Sequence, residues 1–145
     1  QVTPTLTGFM KPTVVTKANT PTFTVNSVAL VMRSLTLALN NTVTPRLLVG
    51  DESIIITDRQ ESATSRVQAW PISTLDPFTL AKAQTSVDVE LVHGTVAGKI
   101  ATLAMPTCEL GRLPDYQNQD NILEWNLPII PLPDTGNDQW SLTLT

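Results

Sequence analysis

The chain carries one cysteine and one histidine in 145 residues. A lone thiol cannot build a disulfide framework, and with a single imidazole it cannot supply the three or four clustered ligands of a zinc site. Charge is also scarce. Asp, Glu, Lys and Arg make up 15% of the residues, against roughly 25% in ordinary soluble domains. No apolar run reaches the about 18 residues that a membrane-spanning helix needs. Glycine-rich phosphate loops, the G-x-S-x-G nucleophile elbow and basic stripes with interleaved aromatics are all missing. Nucleotide binding, serine-hydrolase chemistry and sequence-specific nucleic-acid binding lose their usual signatures with them.

Threonine fills the space that charge leaves, with 22 positions, and proline adds 11. The branched Cβ of Thr suits a pleated strand, and Pro is expelled from helix interiors, so a helical bundle or coiled coil is excluded. Apolar residues amount to 41%, enough for the core of one compact domain of this length. The composition implies an all-β, mainly antiparallel fold.

The net charge is −4 and the pI about 4.8, which disfavours stable binding to phosphate backbones. Its distribution is uneven. Residues 1–50 hold Lys11, Lys17, Arg33 and Arg46 and no acid, whereas residues 51–145 hold all 13 carboxylates against five basic residues, a local balance of −8. Such asymmetry fits a basic region of one copy meeting an acidic region of another. The chain begins at Gln1 without an initiator Met or a signal-peptide pattern, so it reads as a piece of a longer product. Asn40-Asn41-Thr42 matches the three-residue glycosylation acceptor, a short pattern without support from a secretory context.

Residues 1–22 are rich in Thr and Pro and predict an extended N-terminal arm, leaving 23–145 as one domain. The run 23–39 contains the alternation Leu35, Leu37, Leu39 and is long for one strand, which predicts a bend or bulge near Val31–Arg33. Asn40-Asn41 turns the chain. Thr42–Val49 predicts a strand at a sheet edge, since Pro45 lacks an N–H. After the Gly50-Asp51 turn, the continuous run Ile54-Ile55-Ile56-Thr57 predicts a strand buried on both faces. Arg66–Trp70 predicts another strand. Asp76 as a cap, Pro77 at the first helical position and a Leu75–Leu80 staple predict one short helix near 77–85. Val87–Leu91 and Ala101–Met105 predict a hairpin, residues 106–121 an irregular excursion, and the alternations at Leu123–Ile129 and Trp140–Leu144 two more strands. About eight strands with one helix imply a β-sandwich or barrel.

Candidate chemistry is thin, and each residue has a plainer role. A hydrolase would use His93 as base, with Asp88 or Glu90 near it in sequence, yet Ser27, Ser62 and Ser86 have no distinguishing context; His93 reads as a turn or interface residue. Cys108 as a nucleophile would need a base such as His93 and otherwise reads as a buried or loop thiol. Asp134/Asp138 or Asp115/Asp120 could form an acid–base pair, but both pairs lie where Asp is expected to bond turn backbone. Trp70, Tyr116, Trp125 and Trp140 could form a sugar platform, although Trp125 and Trp140 fall on the apolar phase of their strands. No catalytic, cofactor-binding or metal-binding residue is therefore assigned, and no enzyme activity is expected.

The closing segment Asp120-Asn121-Ile122-Leu123-Glu124-Trp125-Asn126-Leu127-Pro128-Ile129-Ile130-Pro131-Leu132-Pro133, continued by Gly136-Asn137-Asp138-Gln139-Trp140-Ser141-Leu142-Thr143-Leu144, resembles the C-terminal end of tail tube (major tail) proteins of long-tailed bacteriophages and prophages. Ser34-Leu35-Thr36-Leu37-Ala38-Leu39-Asn40-Asn41, then Pro45-Arg46, then Ile54-Ile55-Ile56-Thr57-Asp58-Arg59-Gln60-Glu61, is similar in order and spacing to the middle of such chains. The resemblance spans residues 25–145, and family members run longer, so it places this sequence in the C-terminal portion. It implies a β-sandwich or barrel flanked by a helix. It further implies a structural virion subunit that self-assembles, as a hexameric ring, into a tube stacked with other tail proteins. DNA would pass non-specifically through the lumen, with no membrane and no cofactor. The location implied is the virion tail, assembled in the bacterial host cytoplasm. The alternative is a β-sandwich binding module, an adhesin or carbohydrate-binding domain of a phage or surface protein. In an isolated subunit, residues 1–22 and 106–121 are expected to be mobile or irregular and to order on contact with neighbours.

Overall fold

The computed structural model describes residues 13–145. Most of the arm expected over 1–22 lies outside the described residues. Its described end, 13–21, is not strand and contains a turn at Lys17–Asn19. Beyond it come β1 (Thr22–Val25), β2 (Val28–Ala29), β3 (Met32–Ala38), β4 (Asn41–Leu48), β5 (Asp51–Arg59) and β6 (Ser62–Gln68). The helix α1 (Pro77–Ala83) follows, then β7 (Val87–His93), β8 (Ala101–Leu110), β9 (Tyr116–Gln119), β10 (Ile122–Pro131) and β11 (Ser141–Leu144). The fold is all-β and every strand pairing among the described residues is antiparallel.

Nine strands form one sheet in the order β2-β1-β7-β8-β10-β6-β3, with β11 added to β8 and β9 to β10; β4 and β5 form a separate two-stranded sheet. Strand β8 is shared by the two halves of the large sheet. Its first half, Ala101–Ala104, lies between β7 and β11, while Cys108–Leu110 pairs with the end of β10. The first half of β10 lies between β9 and β6. The two halves of the sheet thus share one corner and turn their inner faces toward each other. Phe23, Val25, Val87, Val89 and Met105 from one half meet Ala63, Val67, Trp125, Leu127 and Ile129 from the other in a single buried cluster.

Local sequence explains most of these boundaries. The long run over 23–39 is cut by Asn26 and Ser27, both at positive φ (52° and 59°). They join β1 to β2 as a two-residue hairpin turn of the kind that matches strand twist. The bulge expected near Val31–Arg33 is present as a register shift between Met32 and Ser34. Asp76 accepts from the amides of Phe78 and Thr79, and Pro77 opens the helix. The Thr79 hydroxyl, before the two amides, holds the Asp76 carboxyl below its usual range. The helix ends two residues short of the expected 85 because Gln84 turns into left-handed backbone (φ 49°).

Two expectations are corrected. Of residues 106–121, expected to be irregular throughout, only 111–115 lack regular structure apart from the turn at 120–121. Strand β8 runs through Leu110, and Asp120-Asn121, both at positive φ, join β9 to β10. Pro106 is tolerated because it falls at a bulge, where Val87 pairs with Cys108 but Val89 with Met105. The second correction concerns Ile54-Ile55-Ile56, which is not buried on both faces: Ile54 and Ile56 are 77% and 62% exposed. A continuous apolar run signals that something should cover the strand, and nothing among the described residues does.

Candidate interaction surface

The hairpin β4–β5 stands apart from the body. Its register runs from Asn41 opposite Arg59 to Leu48 opposite Asp51, with Val49-Gly50 as a two-residue connection. Gly50 sits at φ +93°, a conformation that L side chains avoid. Eight paired positions at about 3.4 Å each give an arm of about 27 Å. Residues opposite one another in an antiparallel pair point to the same face. Val43 with Ile56, Pro45 with Ile54 and Leu47 with Glu52 therefore share one face; Thr44 with Ile55, Arg46 with Ser53 and Leu48 with Asp51 share the other. The first is an apolar stripe in solvent, with Val43 56% and Leu47 73% exposed beside Ile54 and Ile56. Contiguous exposed apolar surface of this kind marks an interaction site, and an uncovered two-stranded ribbon is marginal alone. Pro45 blunts the outer edge of β4, which leaves the outer edge of β5 as the fuller backbone template.

Polar contacts hold the root of the arm. Asn40, at φ 47°, donates through Nδ2 to the Gln60 carbonyl at 2.9 Å and to Ser62 Oγ at 3.2 Å. Arg59 Nη2 donates to Asn137 Oδ1 and Gln139 Oε1, each at 3.0 Å. Its Nε lies 2.6 Å from Oε1 of the buried Glu61, close enough for an ion pair although the angle falls outside hydrogen-bond geometry. The arm thus leaves the body in a fixed direction. Asn40, the residue of the glycosylation pattern, has its amide committed here.

A second polar device locks β3, β6 and β10 together. Arg33, at the β3 bulge, donates from Nε to both oxygens of Glu124 at 2.8 and 3.0 Å, and Arg66 pairs with the same carboxylate. Glu124 is buried, and the hydrogen bond from Arg33, with the charges of Arg33 and Arg66, holds its carboxyl below the usual range. A carboxylate held by two guanidiniums is an anchor and has no free proton to trade. The triad leaves no trace in the sequence, because Arg33 and Glu124 are 91 positions apart and no local pattern links them.

The candidate chemical residues are dispersed. His93 Nδ1 and Thr20 Oγ1 are 2.8 Å apart, and Gly94 N donates to the Asn19 carbonyl, so the histidine ties residues 19–20 to the end of β7. Ser27 Oγ makes a long 3.4 Å contact to Asp88, away from His93 in the register, and no Ser–His–Asp arrangement forms among the described residues. Cys108 is buried, and burial first, then the Asp88 charge, pushes its thiol up to about 12. Asp138 accepts from the Thr135 hydroxyl at 2.7 Å and from the amides of Thr135 and Asp134. These bonds, led by the Thr135 hydroxyl, hold it down to about 2, so it closes a turn. Asp120 occupies the β9–β10 turn.

Trp125 is buried and Trp140 half-buried against the core, while Trp70 and Tyr116 are exposed. The Tyr116 ring packs 5.9 Å from Phe78, whose other neighbour is Trp125 at 6.4 Å, edge-on. No group of three or more His, Cys, Asp or Glu residues that could hold a metal occurs among the described residues. No helix there is long and apolar enough to cross a membrane. No protein-family model matches the chain, and no curated protein matches it in sequence.

Proposed function

We propose that this chain is a structural, self-assembling subunit without catalytic chemistry, and that its assembly is the tube of a long-tailed phage or prophage tail. The apolar stripe Val43, Leu47, Ile54 and Ile56, on an arm that the described residues leave uncovered, carries the reading. A monomeric binding module has no use for such an arm, and burying it against further copies removes its cost in water. The resemblance of residues 25–145 to tail tube proteins supplies the kind of assembly: rings stacked with other tail proteins around a channel for DNA. An acidic chain suits such a lumen, because a cationic wall would retain phosphates by counterion release.

Sedimentation velocity across a concentration series, followed by negative-stain microscopy, tests the proposal. Annular particles or tubes with an open axis are the expected result. A chain that stays monomeric at all concentrations, or that binds a glycan array through Trp70, would overturn it.

A further inference from the structure

A groove of about 490 Å³ lies between α1 and the segment that follows β8. Phe78, Ala81 and Leu113 form its apolar lining, and Lys82 and Arg112 stand at its sides. Neither cation makes an ion pair among the described residues, although Arg33, Arg59 and Arg66 all do. In a chain with 13 carboxylates and nine basic residues, two uncommitted cations flanking one apolar groove form a local exception to the acidic surface.

The tip of the β4–β5 arm has the complementary chemistry. Leu47, Leu48 and Val49 are exposed, Val49 completely, and Asp51 and Glu52 follow directly across the turn. Neither carboxylate has an ion-pair partner among the described residues. Three aliphatic side chains beside two acids match an apolar groove beside two bases in both character and sign. The tip cannot be seated in its own groove, since its aliphatic side chains are in solvent.

We infer that the arm tip of one copy, residues 47–52, docks into the α1 groove of a second copy, with Asp51 and Glu52 against Lys82 and Arg112. The inference rests on the self-assembly reading above and names the contact. Tip and groove are different surfaces, so the contact is heterologous: each copy gives one arm and receives another. Copies joined this way close into a ring, of which a reciprocal pair is the smallest, or extend as a filament.

Charge reversal of the full chain tests it. Asp51→Lys with Glu52→Lys, and separately Lys82→Glu with Arg112→Glu, should each weaken self-association about a hundredfold through like-charge contact. An equimolar mixture of the two variants should recover assembly, because each arm then meets a groove of opposite sign. A chain with all four substitutions should also recover it. Recovery shows that the single variants are folded, and circular dichroism melts check the same point. If wild type associates but neither reversal weakens it, or if the mixture fails to recover while both variants melt like wild type, the docking is wrong and self-assembly stands. A wild-type chain that never associates sinks both.

Discussion

Ile54→Thr combined with Ile56→Thr separates folding from association. Threonine keeps the branched Cβ that strands favour, so the hairpin backbone is left as it is. The side chains are 77% and 62% exposed, so most of their apolar surface makes no contribution to the isolated fold. Fully burying an isoleucine is worth about 1.5–3 kcal/mol. Scaled by those exposures, each side chain has about 1–2 kcal/mol left to gain on association. Together they contribute about 2–4 kcal/mol per docked arm, or about 30- to 700-fold in the association constant. Urea unfolding of the monomer is expected to change by less than about 0.5 kcal/mol, as for a surface substitution. Sedimentation equilibrium measures the association. Ile55→Thr, on the opposite face of the same strand, is the control and should weaken association less. If the double variant lost about 2 kcal/mol of folding stability, the stripe would be packed on its own body. If Ile55→Thr weakened association as much, the assignment of faces would be wrong.

Leu127→Ala removes a fully buried side chain where the two halves of the sheet meet and should cost about 2–5 kcal/mol in urea unfolding; a loss under about 1 kcal/mol would mean the core closes elsewhere. Asp138 is held down to about 2 in the folded chain, below its unfolded value of about 3.9. Its contribution is therefore complete above pH of about 4 and disappears as pH falls toward 2. Asp138→Asn should flatten that part of the stability profile, and an unchanged acid slope would show that the turn bonds do not depend on the charge. The Cys108 thiol, pushed up to about 12 by burial, should resist a disulfide reagent at pH 8 until the chain is unfolded in urea. Rapid reaction in the native state would show that β8 opens locally.

Local chemistry was legible in the sequence. Asp76, Pro77 and the short apolar body specified α1 because a helix start depends on residues within four positions. Alternation at Trp125, Leu127 and Ile129 specified the inner face of β10 for a similar reason, but at the start of the strand the expected phase fails, with Leu123 exposed and Glu124 buried. The Asp134–Asp138 turn was legible as well, whereas the sequence left Cys108 as either a buried or a loop thiol. The sequence was less informative where a neighbour decides. Pro106 seemed to end β8, but a bulge against β7 absorbs its missing N–H.

Near-neighbour chemistry in the sequence thus determined an all-β chain, its turns, its helix and the poverty of catalytic groups. Tertiary structure decided which apolar strands the molecule keeps for itself. Val43, Leu47, Ile54 and Ile56 are as hydrophobic as Phe23, Val25 and Val89, and nothing in their order along the chain sets them apart. The difference is geometric: β1 and β7 pair into a sheet that folds over its own inner face, whereas β4 and β5 pair only with each other and project beyond it. Hydrophobicity states that a residue should leave water, and only the three-dimensional path of the backbone states whether its own chain supplies the cover.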